Sequence, residues 1–260
     1  MIGEMMSSRD RRIVWLAAGL LIGAAAVMPA RASTFSVDRT DVRLSAKTQT
    51  ALITLKNDGD SEIRFQLAAF TWGQDDNGEF KLAATQDVVV FPTLLTLAKG
   101  ASRQIRVGTT AAFGAVEKTY RVFIEELPSP ATPKPGAAVT MRTKIGIPVF
   151  LEPAAPQAAV AISDPALKAG VVTIPVRNTG NVHVVADNFP VRGLDAQGKQ
   201  VFSESAKGGY VLAGGTRSFQ LRLSPEQCRS TQVIEAAVTV DGQTMNKRAT
   251  VAAGGCTGGR

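Results

Sequence analysis

The stretch VTMRTKIGIPVFL, residues 139–151, alternates with a period of two. Val139, Met141, Thr143, Ile145, Ile147, Val149 and Leu151 fall on one parity, and Thr140, Arg142, Lys144, Gly146 and Pro148 on the other. That pattern predicts a β-strand with one apolar side. Pro148 has no N–H to give a ladder, so the strand is expected at a sheet edge or bent there rather than in the middle of a sheet. A long edge strand with alternating apolar side chains is an aggregation liability unless another chain pairs with it. The stretch therefore predicts a strand edge kept open for a partner.

On either side of it lie breakers. Residues 128–138 (PSPATPKPGAA) have no apolar periodicity and read as a flexible or polyproline-like loop, while Glu152-Pro153-Ala154-Ala155-Pro156 reads as an interdomain linker. Upstream, short strands alternate with turn chemistry. Phe35 to Leu44, Thr50 to Lys56, Ile63 to Trp72, Val88 to Phe91, Leu94 to Leu97, Ser102 to Gly108, Ala111 to Glu117 and Thr119 to Leu127 are separated by turns such as Asn57-Asp58-Gly59 and Ala98-Lys99-Gly100. Downstream a second series runs through Val160–Ile162, Val171–Arg177, Val182–Val185, Val191–Leu194, Val201–Phe202, Tyr210–Leu212, Arg217–Leu223 and Val233–Val240. No helical period stands out. The expected fold is all-β, with two immunoglobulin-like β-sandwiches of about seven strands in about 100 residues each. The predicted domains are 33–152 and 158–260, joined by a linker at 153–157. Asn57-Asp-Gly and Asn178-Thr-Gly each follow an early strand, a faint sign that the halves share one plan.

The first 32 residues read as a signal peptide: Arg9, Arg11 and Arg12 precede the apolar run Ile13 to Val27, and Ala30-Arg31-Ala32 is a small-x-small cleavage site. This predicts an exported chain, without membrane insertion of its mature part, since no later stretch approaches the roughly 18 uninterrupted apolar residues of a span. Removing four arginines and two acids takes the formal charge from +7 to +5. Basic runs are short and aromatics few, which argues against nucleic acid and for acidic groups on a protein partner. Cys228 and Cys256 are the two cysteines. In an oxidising compartment they either pair, stapling the C-terminal tail to the second domain, or stay as free thiols. His183 is the one histidine, beside a turn, and no cluster has metal-ligand spacing, so neither a metal nor another cofactor is expected. Glu125 and Glu126 are adjacent on a strand and point to opposite faces. No nucleophile–base set is recognisable, and an enzyme is not expected.

The ordered set Thr54-Leu-Lys-Asn57-Asp-Gly59, Ile105-Arg106-Val107, Tyr120-Arg-Val-Phe-Ile-Glu-Glu-Leu-Pro128 and Ile145-Gly-Ile-Pro-Val-Phe150 resembles the periplasmic chaperones of the chaperone–usher pilus pathway. The YR-x-x-x-x-ELP and IPVF forms resemble the archaic branch, with its spore-coat-like pilins, more than the P-pilus branch. The resemblance implies a boomerang of two immunoglobulin-like domains in the periplasm that binds, folds and caps pilin subunits by donor-strand complementation. It also implies delivery of those subunits to an outer-membrane usher during pilus assembly. Val139, Met141, Thr143, Ile145 and Ile147 become the expected donor side chains, the alternative being that they fill the domain's own core.

In the family a pair of basic residues grips the subunit's C-terminal carboxylate. The chain departs from the P-pilus pattern at both positions, with Asp41 after Asp38-Arg39-Thr40 and Gly146 after Thr143-Lys144-Ile145. Arg106 and Lys144 are the expected substitutes, with Arg39, Arg43, Arg121 and Arg142 as further options; charge-assisted, preferably bidentate donors are what a carboxylate requires. The competing reading is an exported immunoglobulin-like adhesin or carbohydrate-binding module, which the scarcity of Trp and Tyr disfavours.

Overall fold

The computed structural model describes residues 34–128, 141–240, 242–252 and 255–256. Val139 and the predicted signal peptide lie outside the described residues. Met141 belongs to one compact unit, and the described residues up to 128 and those from Arg142 onward belong to another. Its strands, in chain order, are β1 (Phe35–Val37), β2 (Val42–Leu44), β3 (Thr50–Asn57), β4 (Ile63–Gln74), β5 (Phe80–Ala84), β6 (Val88–Phe91), β7 (Leu94–Leu97), β8 (Ser102–Thr109), β9 (Lys118–Glu126) and β10 (Lys144–Leu151) in the first half. The second half has β11 (Val160–Ile162), β12 (Ala166–Lys168), β13 (Val171–Asn178), β14 (Val184–Leu194), β15 (Gln200–Val211), β16 (Thr216–Arg222), a short helix α1 (Pro225–Ser230), β17 (Val233–Val240) and β18 (Gln243–Thr250).

Each half is an immunoglobulin-like sandwich with its own core. In the first, the sheet β1-β3-β8-β6 faces the sheet β2-β10-β9-β4-β5, with β7 also on β4. The inward parity of each central strand fills the space between: Ile53 and Leu55, Phe65 and Leu67, Ile105 and Val107, Tyr120, Val122 and Ile124. In the second, β13 carries β11, β12 and β16, and this sheet packs on β15-β14-β17-β18 around Ile174, Phe189, Phe219 and Ile234. Cys228 of α1 is bonded to Cys256, so the tail is tied to the second sandwich.

The two halves share a buried device. Asn57 ends β3 and Asn178 ends β13, and both are fully buried. Each side-chain carbonyl accepts the N–H two residues on, from Gly59 and Gly180. Each amide donates four residues on, to Ser61 O and Val182 O, and across to the strand before the next turn, at Leu97 O and Val211 O. The turns then close alike, Ala101 N–H to Ala98 O and Gly215 N–H to Leu212 O, with Gly100 and Gly214 both at φ of 70°. That left-handed conformation favours glycine.

Several strand assignments differ from the sequence expectation. Phe35 to Leu44 splits into β1 and β2, which join opposite sheets. The switch follows from Asp38, whose carboxylate takes the Thr54 N–H at 2.8 Å and so ends the β1 ladder. Residues 111–117 form no strand. The expected strands Val182–Val185 and Val191–Leu194 fall, from Val184 on, in the single strand β14, and Val201–Phe202 and Tyr210–Leu212 fall, up to Val211, in β15, because the residues between them stay paired along the β14–β15 ladder. Helix α1 is nucleated by a capping box, Ser224 with Gln227, and by Pro225 in its first turn.

Candidate binding face and strand edge

The opening stretch becomes a strand from Lys144, and its two long sides differ. Along one it pairs with β9 throughout, Lys144 opposite Glu125 to Leu151 opposite Lys118. Along the other, β2 pairs in parallel with Val149–Leu151 alone. Thr143 accepts the Glu126 N–H at 3.0 Å, which fixes the antiparallel alternation. Thr143, Ile145 and Ile147 spend their backbone groups on β9, and Lys144, Gly146 and Pro148 turn theirs away. Glu152 keeps this parity and donates to Leu44 O on the β2 side. Among the described residues, 144–148 pair with no second strand and so form an open edge, and Pro148 sits where its missing N–H costs no bond to β9.

The expected donor side chains separate along this strand. Met141 is 64% exposed and Thr143 is exposed. Ile145 is half-buried against the core of the first sandwich, and Ile147, 3% exposed, is part of that core. Ile147 is therefore committed to its own domain. Pro148 and Phe150, on the opposite parity, are buried too, because the second sandwich covers that end of the strand: Phe150 stacks on His183 with ring centroids 3.7 Å apart. His183 is itself buried, its N–H and Nδ1 meeting Glu117 Oε2 at 2.9 and 2.8 Å.

The outward parity of β10, β9, β4 and β5 builds an aromatic face. Phe123 lies opposite Gly146, Arg121 opposite Pro148 and Phe70, and Trp72 opposite Leu82. A side chain at Gly146 would meet Phe123 at 2.8 Å and the Arg121 guanidinium at 3.3 Å, so the glycine makes room for its neighbours. At the centre, the Arg121 guanidinium lies 4.2 Å from the Trp72 ring centroid and 4.0 Å from that of Phe80. Its Nε is buried without a hydrogen-bond partner. Burial pushes its pKa down, partly offset by Tyr210, and among the described residues no carboxylate offsets it. A cation held by two π faces with no counter-charge is a ready anion receptor.

Arg106 and Lys144 are not brought together. Arg106 points outward from β8 in the opposite sheet, beside Leu52 and Phe91, between inward-facing Ile105 and Val107. Lys144 lies on the aromatic face but is paired with Glu125 at 2.8 Å, over the Phe123 ring. That pairing holds the Glu125 carboxyl below its usual range. Arg43 is bound to Asp41 and Glu152. Sequence parity put Arg121 only among several options, because the aromatic rings that single it out come from β4 and β5, about 40 to 50 residues upstream. Among the described residues no group of three or more His, Cys, Asp or Glu stands close enough to hold a metal.

Comparison with solved structures gives the same two-sandwich fold at low identity. A chain of the CsuC–CsuE chaperone–tip adhesion subunit pre-assembly complex, from the archaic chaperone–usher Csu pili of Acinetobacter baumannii, superposes with a TM-score of 0.56 at 16% identity, covering 85% of this chain and 100% of that one. The YadV chaperone gives 0.55 at 12% identity, covering 83% and 98%. The Salmonella enterica SafA pilin in complex with the SafB chaperone gives 0.53 at 16%, covering 85% and 97%. A search of curated protein sequences finds no significant match. Residues 34–157 match the family model of the pili and flagellar-assembly chaperone, PapD N-terminal domain. Through its first sandwich, the chain is similar to the N-terminal domain of the pilus-assembly chaperones.

Proposed function

We propose that this chain is a periplasmic chaperone that lends the open edge of β10 to pilin subunits, caps them, and passes them to an outer-membrane usher. The observation that carries this reading is the open edge at residues 144–148, continuous with exposed Met141 and bordered by the aromatic face. A subunit lacking a strand exposes unpaired backbone and apolar side chains, and an alternating edge strand satisfies both. Met141 and Thr143 serve as donor side chains, with Ile145 contributing its exposed part and Val139 continuing the same parity. Arg121 receives the subunit's terminal carboxylate in place of the two missing family positions. The usher is assigned the opposite sheet, where Leu52, Val89 and Phe91 are exposed beside Arg103 and Arg106. The basic, apolar N-terminal segment supports export, and among the described residues no helix is long and apolar enough to cross a membrane.

The test is co-purification from the periplasm with a pilin-like subunit encoded nearby, comparing wild type with Met141→Asp and Lys144→Pro. Lys144→Pro removes an N–H from the open side and none from the β9 ladder. A one-to-one complex with wild type, lost in both variants while circular dichroism keeps the β spectrum, is expected. Undiminished capture by both variants would refute donation through this edge.

A further inference from the structure

We propose that the free edge of β18 is a second strand-pairing site, one that takes an extended acidic segment of a protein partner. In the sheet β15-β14-β17-β18 the last strand pairs with β17 alone. Val251 N–H donates to Gln232 O at 2.8 Å in the register of that ladder, which fixes the residues that bond across it. Gln243, Met245, Lys247 and Ala249 spend their backbone groups on β17, and Thr244, Asn246, Arg248 and Thr250 turn theirs away from it. Among the described residues nothing donates to or accepts from those four backbone positions. The edge runs the whole of Gln243–Thr250, and these four residues are all exposed.

The chemistry of the guest follows from the cross-strand rows. Arg192 on β14 lies opposite Glu235 on β17, which lies opposite Arg248 on β18. On the solvent face this row reads plus, minus, plus, and it ends at the open edge. Neighbours in such a row stand about 4.5–5.5 Å apart, and opposite charges there attract. The fourth member is an acid on the guest, directly beside Arg248. A hollow of about 360 Å³ over the same strands is lined by Arg192, Lys247 and Arg248 against one carboxylate, Glu235. It exists because the β14–β17 ladder stops short. After Arg192 and Glu235 the next hydrogen-bonded pair would set Pro190 against Ala237, and proline has no N–H. Arg248 reaches Glu235 and Lys247 reaches Asp164, each at 3.6 Å, weak surface pairs that leave both cations open to a better-placed carboxylate. A second copy of the chain is the wrong guest, since full-length antiparallel pairing of two β18 edges brings Lys247 and Arg248 of both chains together. An apolar guest is disfavoured too: Lys247 stands on the core-facing parity beside Met245, an inward charge of the kind that guards a strand edge. The site lies in the second sandwich and stands whether or not β10 donates to a subunit.

The test uses the full exported chain with two synthetic peptides, acetyl-TEVEVET-amide and its lysine counterpart acetyl-TKVKVKT-amide. The acidic peptide is expected to slow hydrogen exchange at the Thr244, Asn246 and Arg248 amides. It is also expected to bind at least about fivefold tighter than the basic one, a preference that Arg248→Glu abolishes. Asn246→Pro takes an N–H from the open side and none from the β17 ladder. It is expected to weaken the acidic peptide about 5- to 10-fold while circular dichroism keeps the β spectrum. Met141→Asp, aimed at the β10 edge, is expected to leave the peptide bound. No protection at these amides, equal binding of the two peptides, or an unchanged preference in Arg248→Glu overturns the site. So does a peptide lost in Met141→Asp and kept in Asn246→Pro, which places it on β10 instead.

Discussion

Replacing Arg121 by glutamine separates two roles that a single cation rarely lets one separate. In the free protein the guanidinium gains roughly 1–2 kcal/mol from its two ring contacts. Against this stands the desolvation that pushes its pKa down, with no carboxylate among the described residues to offset it. The two terms oppose each other, so Arg121→Gln should change folding stability by less than the ring contacts alone, about 1 kcal/mol or below. Binding behaves differently. A carboxylate seated on Arg121 supplies the missing counter-charge and reaches the orphaned Nε. Truncating one member of a hydrogen-bonded charge pair costs about 2–5 kcal/mol when buried. For a half-buried site, the lower part of that range, about 2–3 kcal/mol, corresponds to affinity weakened about 30- to 150-fold. Arg121→Lys keeps the charge but loses the flat stack and the fork, and should fall between. The assay pairs urea melts of the free variants with titration of a peptide copied from a captured subunit's C-terminus, ending either in a free carboxylate or in an amide. An amidated peptide that binds wild type as tightly as the free acid, or an Arg121→Gln variant with unchanged affinity and a stability loss above about 3 kcal/mol, would refute the assignment.

Other expectations rest on single features. Gly146→Lys, which restores the residue type usual in the P-pilus branch, should displace Phe123 and Arg121 and weaken subunit capture rather than strengthen it, as read by pull-down. Asn57→Ala removes three amide donations and one acceptor and should cost about 3–5 kcal/mol in chemical denaturation, with Asn178→Ala somewhat less for its two donations and one acceptor. Reducing the Cys228–Cys256 bond, which closes a 28-residue separation, should lower the stability of the second sandwich by about 3.5 kcal/mol, measured by melts with and without dithiothreitol. The Thr54 N–H bond holds the Asp38 carboxyl below its ordinary value, so its contribution is complete above about pH 4 and is lost as the pH falls through the lowered value. Acid titration of Asp38→Asn should accordingly show a shallower loss of stability.

What was legible in the sequence followed from period-two burial and turn chemistry. The inward faces of β9 and β10 and the two Asn-x-Gly turns could be read because each is a local pattern. Ile147 looked available for donation because parity cannot say which of two apolar surfaces, the domain's own or a partner's, a side chain fills. β14 and β15 looked like pairs of short strands because Asp187, Asn188 and Pro190 in one and Ser203 to Gly209 in the other interrupt the run of β-formers without ending the strand pairing. Helix α1 spans under two turns, too short for any helical period to register, and only its Ser-Pro-Glu-Gln cap announces it. The aromatic seat of Arg121 was illegible for a different reason. It is assembled from three strands, and no spacing within any one of them encodes it.

The parallel pairing of β2 with the last three residues of β10 sets a stop on the open edge. A guest strand running along residues 144–148 has about 17 Å of free ladder, five residues at about 3.4 Å each, before it collides with Val42. Under the proposed donation the edge would be a ruler as well as a template: guests of the wrong length would either overhang toward Met141 or leave edge unpaired. A slip by one residue turns every guest side chain to the opposite face. Sorting among guests on this edge would then be a matter of length and phase as much as of side-chain chemistry.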